Sequence, residues 1–267
     1  MISFPNCKIN LGLDVLSKRS DGYHEIKSVL FPVQWQDALE IVPATSFQFT
    51  SSGLTIPGNT SNNLCVKAYQ LLKQDFDFPA IHIHLHKIIP MGGGLGGGSA
   101  DGAETLKLIN TLFELNISKD GLKKYASVLG SDCPFFIENT AQFATGTGKD
   151  VVPIELDLSG YYLKLVNNGT HVSTAEAYGG IEFSETKNGI KQVINEPIEK
   201  WQGLLQNSFE SSVFKIHPEL ILLKQQLINE GAIYASMTGS GSTLFGIYKT
   251  PPQSNFKHSA FEKIIAL

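Results

Sequence analysis

Pro90-Met91-Gly92-Gly93-Gly94-Leu95-Gly96-Gly97-Gly98-Ser99-Ala100-Asp101 holds six glycines in seven consecutive positions, followed by a serine and a run of helical periodicity. Ordering a glycine costs more backbone entropy than ordering any other residue, so six together need a local reason. A chain without Cβ atoms turns sharply and brings successive N–H groups close to an anion. A helix starting at Ser99 would add its unpaired N–H groups and the positive end of its dipole. The stretch predicts a phosphate cradle. A flexible linker is the alternative, and the flanks speak against it, since a strand pattern precedes the glycines and a helix pattern follows.

The strand pattern is Ile81-His82-Ile83-His84-Leu85-His86-Lys87, the cleanest alternation in the chain. Its three histidines share one face at about 6.5 Å spacing, too far apart for all three to ligate one zinc, so no metal site is expected there. Lys87 ends the strand just before the loop, where a point charge suits phosphate or a nucleotide. After the loop, Ala103, Leu106, Ile109, Leu112 and Phe113 recur at helical spacing, with Ser99 as the expected N-cap and Asp101 in the first turn. Ser118 opens a second helix, with Leu122, Tyr125, Ala126 and Leu129 on its apolar face and Gly130 at its end.

Working outward, Cys7, Ile9, Leu11 and Leu13 alternate with Lys8, Asn10 and Gly12, a strand with one buried face. Its other face carries an amine and an amide about 7 Å apart; an ordinary surface strand gives the same pattern. Ser20-Asp21-Gly22 reads as a turn that presents Tyr23 and His24 either to a ligand or to ordinary packing. Strand alternation returns at 28–33 and 39–42. A polar loop at 59–63 leads into a helix at 64–73. Gly130-Ser131-Asp132-Cys133-Pro134-Phe135-Phe136 sets Asp132 on a tight turn between a helix and an apolar strand, because Pro134 disfavours helical backbone at Cys133. Asp132 by itself equally suits a plain turn or a helix N-cap. A strand and glycine turn follow at 142–149. Beyond a composition shift at 156–160 come a strand at 161–166, a short helix at 174–178 and helices over 193–215 and 218–229. Two strands then flank the glycine turn Thr238-Gly239-Ser240-Gly241-Ser242. The shift divides the chain into 1–157 and 158–267.

The chain has 267 residues, 42% of them hydrophobic and 17% charged, with a net charge of −4, which describes a globular protein with ample core. Nothing in the charge distribution points to nucleic acid or an anionic membrane surface. Cys7, Cys65 and Cys133 are scattered and form neither a disulfide framework nor a CxxC motif. That cysteine usage fits a reducing, cytoplasmic setting, and the opening does not read as a signal peptide.

Gly92 to Gly97 satisfies the G-x-G-x-x-G pattern of dinucleotide folds, but a run this rich in glycine satisfies almost any glycine pattern. That unit also needs a second parallel strand after the helix, and here a second helix follows. The P-loop pattern lacks its Lys-Ser or Lys-Thr. What remains is a cradle, a lysine on a separate strand, an aspartate on a turn and a second glycine turn. These are the parts that phosphoryl transfer from ATP to an alcohol requires.

The 90–100 stretch closely resembles the central loop of the GHMP kinases. Lys8-Ile9-Asn10-Leu11, Ser20-Asp21-Gly22-Tyr23-His24-Glu25, Ser131-Asp132-Cys133-Pro134-Phe135-Phe136 and Thr238 to Ser242 extend the resemblance over nearly the whole chain. It implies an α+β, two-domain GHMP kinase fold. Residues 1–157 would be an ATP-binding domain like ribosomal protein S5 domain 2, and 158–267 a ferredoxin-like domain on the substrate side. It also implies ATP and Mg²⁺ as cofactors and phosphorylation of a hydroxyl on a cytidyl diphosphate substrate of isoprenoid precursor synthesis. The protein would be a monomer or weak homodimer with no nucleic-acid or membrane partner.

By match to the family's motifs, Asp132 would be the catalytic base and Lys8 would hold the base and the acceptor hydroxyl. Asn10 would contact substrate, Tyr23 would stack on cytosine and His24 would hydrogen-bond it. Thr174 and Tyr178 would belong to the element closing the base's other side. Asn63 and Lys87 would lie near adenine, and Pro90, Met91, Gly92, Gly93, Gly94, Leu95, Gly96, Gly97, Gly98, Ser99 and Ala100 around the phosphates. No carboxylate is assigned to Mg²⁺, and Ser99 is the one candidate ligand. Two departures stand out. The family commonly continues Ser-Ser-Asn-Ala-Ala where this chain has Ser99-Ala100-Asp101-Gly102-Ala103, and Gly102 should weaken the helix by about 1 kcal/mol. Ser208 stands where the family has Asp.

Overall fold

The computed structural model describes residues 1–253 and 259–267. Along the chain run β1 (Ile2–Ser3), β2 (Asn6–Lys18), β3 (His24–Gln36), β4 (Ala38–Pro43), β5 (Gln48–Gly53), α1 (Leu64–Asp75), β6 (Ile81–Lys87), α2 (Gly97–Leu112), α3 (Lys119–Leu129) and α4 (Cys133–Glu138). After these come β7 (Gln142–Thr145), β8 (Asp150–Pro153), β9 (Tyr162–Asn167), α5 (Thr174–Gly179), α6 (Ile190–Ile194), α7 (Phe209–Ile216), α8 (Glu219–Asn229), β10 (Tyr234–Met237), β11 (Leu244–Tyr248) and β12 (Phe261–Ala266). Contacts group them into two compact units that interleave along the chain. One comprises Met1–Cys7, Trp35–Met91 and Gly96–Thr140, the other Lys8–Gln34, Gly92–Leu95 and Ala141–Leu267.

In the first unit a four-stranded sheet has the order β1-β4-β6-β5, with β6 antiparallel to β4 and parallel to β5. Ile81, Ile83 and Leu85 of β6 are buried, as the alternation predicts. The histidine face turns out to be a cross-strand ladder rather than a ligand set. Thr50 Oγ1 lies 2.8 Å from both His82 Nε2 and His84 Nδ1, and Ser52 Oγ lies 2.9 Å from both His84 Nε2 and His86 Nδ1. Packing accounts for Gly102. A Cβ there would sit 2.8 Å from Leu64 Cβ, so glycine at 102 gives α1 and α2 a close approach that repays its low helix propensity.

Two further expectations change in this unit. The helix after the loop starts at Gly97, with Gly96 as its N-cap at φ +70°, and Ser99 is already three positions inside it. A left-handed backbone at the cap excludes most side chains, and it sets the helix start ahead of the serine that sequence favours. Residues 133–138 form a helix rather than a strand. Pro134 falls in its first turn, where its missing N–H has no helical partner to lose.

In the second unit β2, β3, β7 and β8 are neighbours in one sheet. A second sheet runs β10-β11-β9-β12 with every pair antiparallel: a hairpin whose second strand lies beside β9, and a last strand returning on β9's other side. This is the split βαβ order of ferredoxin-like domains. Val166, Phe209, Val213, Leu220, Leu227, Met237 and Leu244 join in its core. The single helix expected over 193–215 is replaced by α6, a 3₁₀ turn at Ile198–Lys200 and α7. Pro197 ends the first piece, and buried Trp201 anchors the link by donating Nε1–H to Glu196 O at 2.9 Å. Strands β1, β5, β8 and β12 fall in stretches where the sequence pattern predicts none.

Candidate active site

Side chains on the polar face of β2 begin the site in the second unit. Lys8 is 2% exposed, and its Nζ donates to Asn10 Oδ1 at 2.7 Å and to Gly94 O at 2.9 Å. Asn10 Nδ2 donates to Ser28 Oγ at 2.8 Å, and Asn10 N donates to Thr238 Oγ1 at 3.1 Å. Lys8 N donates to Leu95 O at 2.9 Å, so backbone and side chain of one residue both hold the glycine loop. The second glycine turn closes on the same loop. Thr238 Oγ1 lies 3.2 Å from Gly94 O, and Thr243 N donates to Gly93 O at 3.3 Å. Gly94 has φ +76°, and a Cβ on it would lie 2.1 Å from Thr238 O. Glycine is therefore required at 94 by conformation and by space. Asn207 fixes the turn from behind, its Nδ2 donating to Met237 O at 2.7 Å and Gly239 O at 2.8 Å.

The same unit holds the aromatic residues. Tyr23 is 58% exposed, with its backbone N–H on Asp21 Oδ1 at 3.0 Å. The His24 ring stacks on Tyr178 at 4.1 Å with a 16° tilt, and Tyr178 meets Phe209 edge-on at 4.8 Å. Burial and the neighbouring Lys18 charge hold the His24 pKa below the ordinary histidine value. Thr174 and Tyr178 lie four residues apart on α5, whose start is fixed by a Ser173–Glu176 capping box.

In the first unit, Asn63 is the N-cap of α1, its Oδ1 accepting from Cys65 N at 2.9 Å. The first three N–H groups of α2, at Gly97, Gly98 and Ser99, precede its first helical hydrogen bond, Ala100 N to Gly96 O at 2.9 Å. Asp132 is half-buried at the start of α4 and makes no capping bond to that helix.

Lys87 departs most from expectation. It is 1% exposed, and its ammonium lies 2.5 Å from Asp37 Oδ2 and 2.7 Å from Asp101 Oδ2, so the charge expected to face a nucleotide is enclosed. Asp37 Oδ1 accepts the backbone N–H groups of Ile88 at 2.5 Å and Ile89 at 2.8 Å. Burial works against the Lys87 charge, but Asp101 and Asp37 outweigh it and raise its pKa. Burial pushes the Asp101 carboxyl up to about 7 against the pull of Lys87. Sequence reasoning missed Asp37 and Ser28, and it noted Asn207 only as the start of a family motif without a role. Thr238 carried a signal, since it stands in the glycine turn.

Among the described residues, no group of three or more His, Cys, Asp or Glu side chains is placed to hold a metal ion. None of their helices is long and apolar enough to cross a membrane.

Two family models match the chain, the GHMP kinases N terminal domain over residues 63–140 and the GHMP kinases C terminal domain over residues 191–264. The chain thus carries the two domains of a GHMP kinase, and the protein is an enzyme of that class. The chain is 50% identical over 252 residues to the 4-diphosphocytidyl-2-C-methyl-D-erythritol kinase of Azobacteroides pseudotrichonymphae, covering 94% of each chain. It is 49% identical over 255 residues to the enzyme of the same name from Cytophaga hutchinsonii, covering 95% of this chain and 94% of that one. A crystal structure of 4-(cytidine 5'-diphospho)-2C-methyl-D-erythritol kinase superposes with a TM-score of 0.82 at 28% identity, covering 94% of this chain and 91% of that one. The chain belongs to the 4-diphosphocytidyl-2-C-methyl-D-erythritol kinase family.

Proposed function

We propose that the protein transfers the γ-phosphoryl group of ATP to the 2-hydroxyl of 4-diphosphocytidyl-2-C-methyl-D-erythritol. The observation that carries the reading is the Lys8 network, in which one buried ammonium is tied both to the glycine loop and to Asn10. A cation fixed in this way stabilises charge on a reacting oxygen without reorganising as the charge develops. Asp132 takes the hydroxyl proton, and Asn10 orients the acceptor. Tyr23 and Tyr178 enclose the cytosine, His24 hydrogen-bonds it, and Thr174 lines the same end. The loop from Pro90 to Ala100 carries the phosphates on its N–H groups, and Asn63 lies toward the adenine. Lys87 acts from beneath the loop, since its ammonium is already spoken for by two carboxylates.

Bound with ATP, Mg²⁺ would supply neutralisation of the phosphate charge. An ion that keeps most of its waters needs few protein ligands, which suits a chain offering the Ser99 hydroxyl rather than a carboxylate cage. The proposed domain assignment keeps ATP binding in 1–157 and substrate-side functions in 158–267, with cytoplasmic location and a monomer or weak homodimer as its further parts. The two family-model matches lie on either side of the 157/158 boundary.

The test is ADP release by purified protein with ATP, Mg²⁺ and the cytidyl substrate. Homoserine and mevalonate serve as competing acceptors. Turnover confined to the cytidyl compound is expected. ADP formation only with one of the other acceptors would overturn the reading.

A further inference from the structure

Phe183 is an aromatic residue that the motifs do not include. It is 53% exposed, and what sets it apart from other exposed apolar residues is the ring beside it. It lies 6.2 Å from the His24 ring at a 47° tilt, and His24 in turn stacks on Tyr178. Three rings thus follow one another at the end of the site assigned above to the nucleobase.

The chain around Phe183 has no helix or strand, yet it is held on both sides. Glu182 pairs with Lys215 at 2.7 Å, and Ser184 N donates to Val15 O at 3.0 Å. The Ser184 and Ser208 hydroxyls lie 2.8 Å apart, and Glu185 pairs with Lys27 at 2.7 Å. Asp14 adds the strongest anchor. Its carboxylate, 2% exposed, accepts Thr186 N at 3.0 Å and Thr186 Oγ1 at 2.6 Å. Burying a carboxylate is costly, and here the cost is spent on fixing an irregular segment rather than on a core. An exposed ring beside the His24 ring of that stack is prepared for a flat partner that covers it, and its burial is then gained on binding rather than on folding.

We infer that Phe183 is a substrate-binding residue, a third aromatic surface for the nucleobase of the cytidyl substrate, with Asp14 as the residue that positions its segment. The inference rests on the proposed function, because it names the acceptor's nucleobase as the group received. A contact of this kind is non-polar and planar, so it is indifferent to the ATP end of the site.

Steady-state kinetics of Phe183→Ala, Phe183→Leu and Phe183→Tyr against both substrates, with calorimetric binding of CDP as the probe, tests it. Phe183 is exposed, so folding of the three variants is checked by their thermal midpoints and is expected to match that of the parent. Expected for Phe183→Ala is about a tenfold rise in KM for the cytidyl substrate and in Kd for CDP, as for one lost base–aromatic contact. The KM for ATP should stay unchanged. Phe183→Tyr should restore the parent values, and Phe183→Leu should fall between. An unchanged CDP affinity in Phe183→Ala, or an equal loss for ATP, overturns the inference. If the parent protein itself neither turns over the cytidyl substrate nor binds CDP, the functional reading fails and the inference falls with it. Parent turnover with an indifferent Phe183→Ala removes the inference alone.

Discussion

Replacing Lys87 by methionine keeps the stem's volume and deletes the charge between two buried carboxylates. The oxygens of Asp37 and Asp101 that share Lys87 Nζ are no more than about 5 Å apart. With both ionised and no cation between them, their repulsion at an effective dielectric near 20 is about 3 kcal/mol. Measured losses on breaking a buried ion pair, about 3–5 kcal/mol, agree with that figure. For a chain of this size each kcal/mol lowers the thermal midpoint by about 2–4 °C, so a drop on the order of 10 °C is expected. The pH dependence fixes the sign. The folded Asp101 carboxyl is raised from 3.8 to about 7, so its destabilising share is present above the folded value and is relieved as pH falls toward the unfolded one. Without Lys87 the shift is larger, and the loss in Lys87→Met should be greater at pH 8 than at pH 5.5. Thermal melts followed by circular dichroism at both values measure this. The triple variant Lys87→Met, Asp37→Asn, Asp101→Asn removes the uncompensated charge and should recover much of the loss. A midpoint in Lys87→Met within about 2 °C of the parent at pH 8 would refute the reasoning, because no buried charge would then have been left unpaired.

Three other outcomes are expected. Asp132→Asn should lower kcat by a factor of about 10²–10⁴, the usual worth of a general base, with ATP binding by calorimetry largely retained. Equal activity would remove Asp132 as the base. Gly94→Ala forces a Cβ to 2.1 Å from Thr238 O at a left-handed φ, so nucleotide affinity should collapse in equilibrium binding, more than in Gly98→Ala, where nothing lies within 4 Å. His24, with its pKa held below the ordinary 6.5 by burial and Lys18, is neutral above that value. The KM for the cytidyl substrate should therefore be flat from pH 7 to 8 and rise only on the acid side of the ordinary histidine value of 6.5, as the ring gains a charge in a desolvated stack. A rise centred above pH 7 would contradict the assignment.

Legibility from sequence followed the range of the interactions involved. Alternation in β2 and β6 was readable because a strand's two faces are decided residue by residue. The ends of elements were harder. Ser99 has the chemistry of a cap, but Gly96 alone tolerates the left-handed backbone at which α2 begins, and a run of glycines gives no local sign of which one turns. Pro134 excluded a helix in its interior and not in its first turn, so the proline correctly marked a boundary and wrongly suggested a strand. The strand β5 was invisible because its alternating Thr50 and Ser52 are weak signals until the histidines of β6 stand opposite them.

The site divided along the same line. Lys8, His24 and Asp132 are ambiguous one at a time and acquire roles only through the motifs they share with the family, and the state of a charge is not legible even then. Lys87 reads as a free cation in sequence because its partners are 50 residues upstream and 14 downstream. Only the fold brings Asp37 and Asp101 onto it. That enclosure changes what the lysine can do. A cation already shared by two carboxylates adds little attraction for a nucleotide, yet it ties the backbone entering the loop at Ile88 and Ile89, through Asp37, to the helix leaving it, through Asp101. The glycines supply conformational freedom. Within the first unit the buried triad limits that freedom where the chain enters and leaves the loop, and within the second unit Lys8 and Thr238 limit it at Gly94. A loop with six glycines in seven positions can therefore hold one geometry, as electrostatic stabilisation of a reacting phosphate requires.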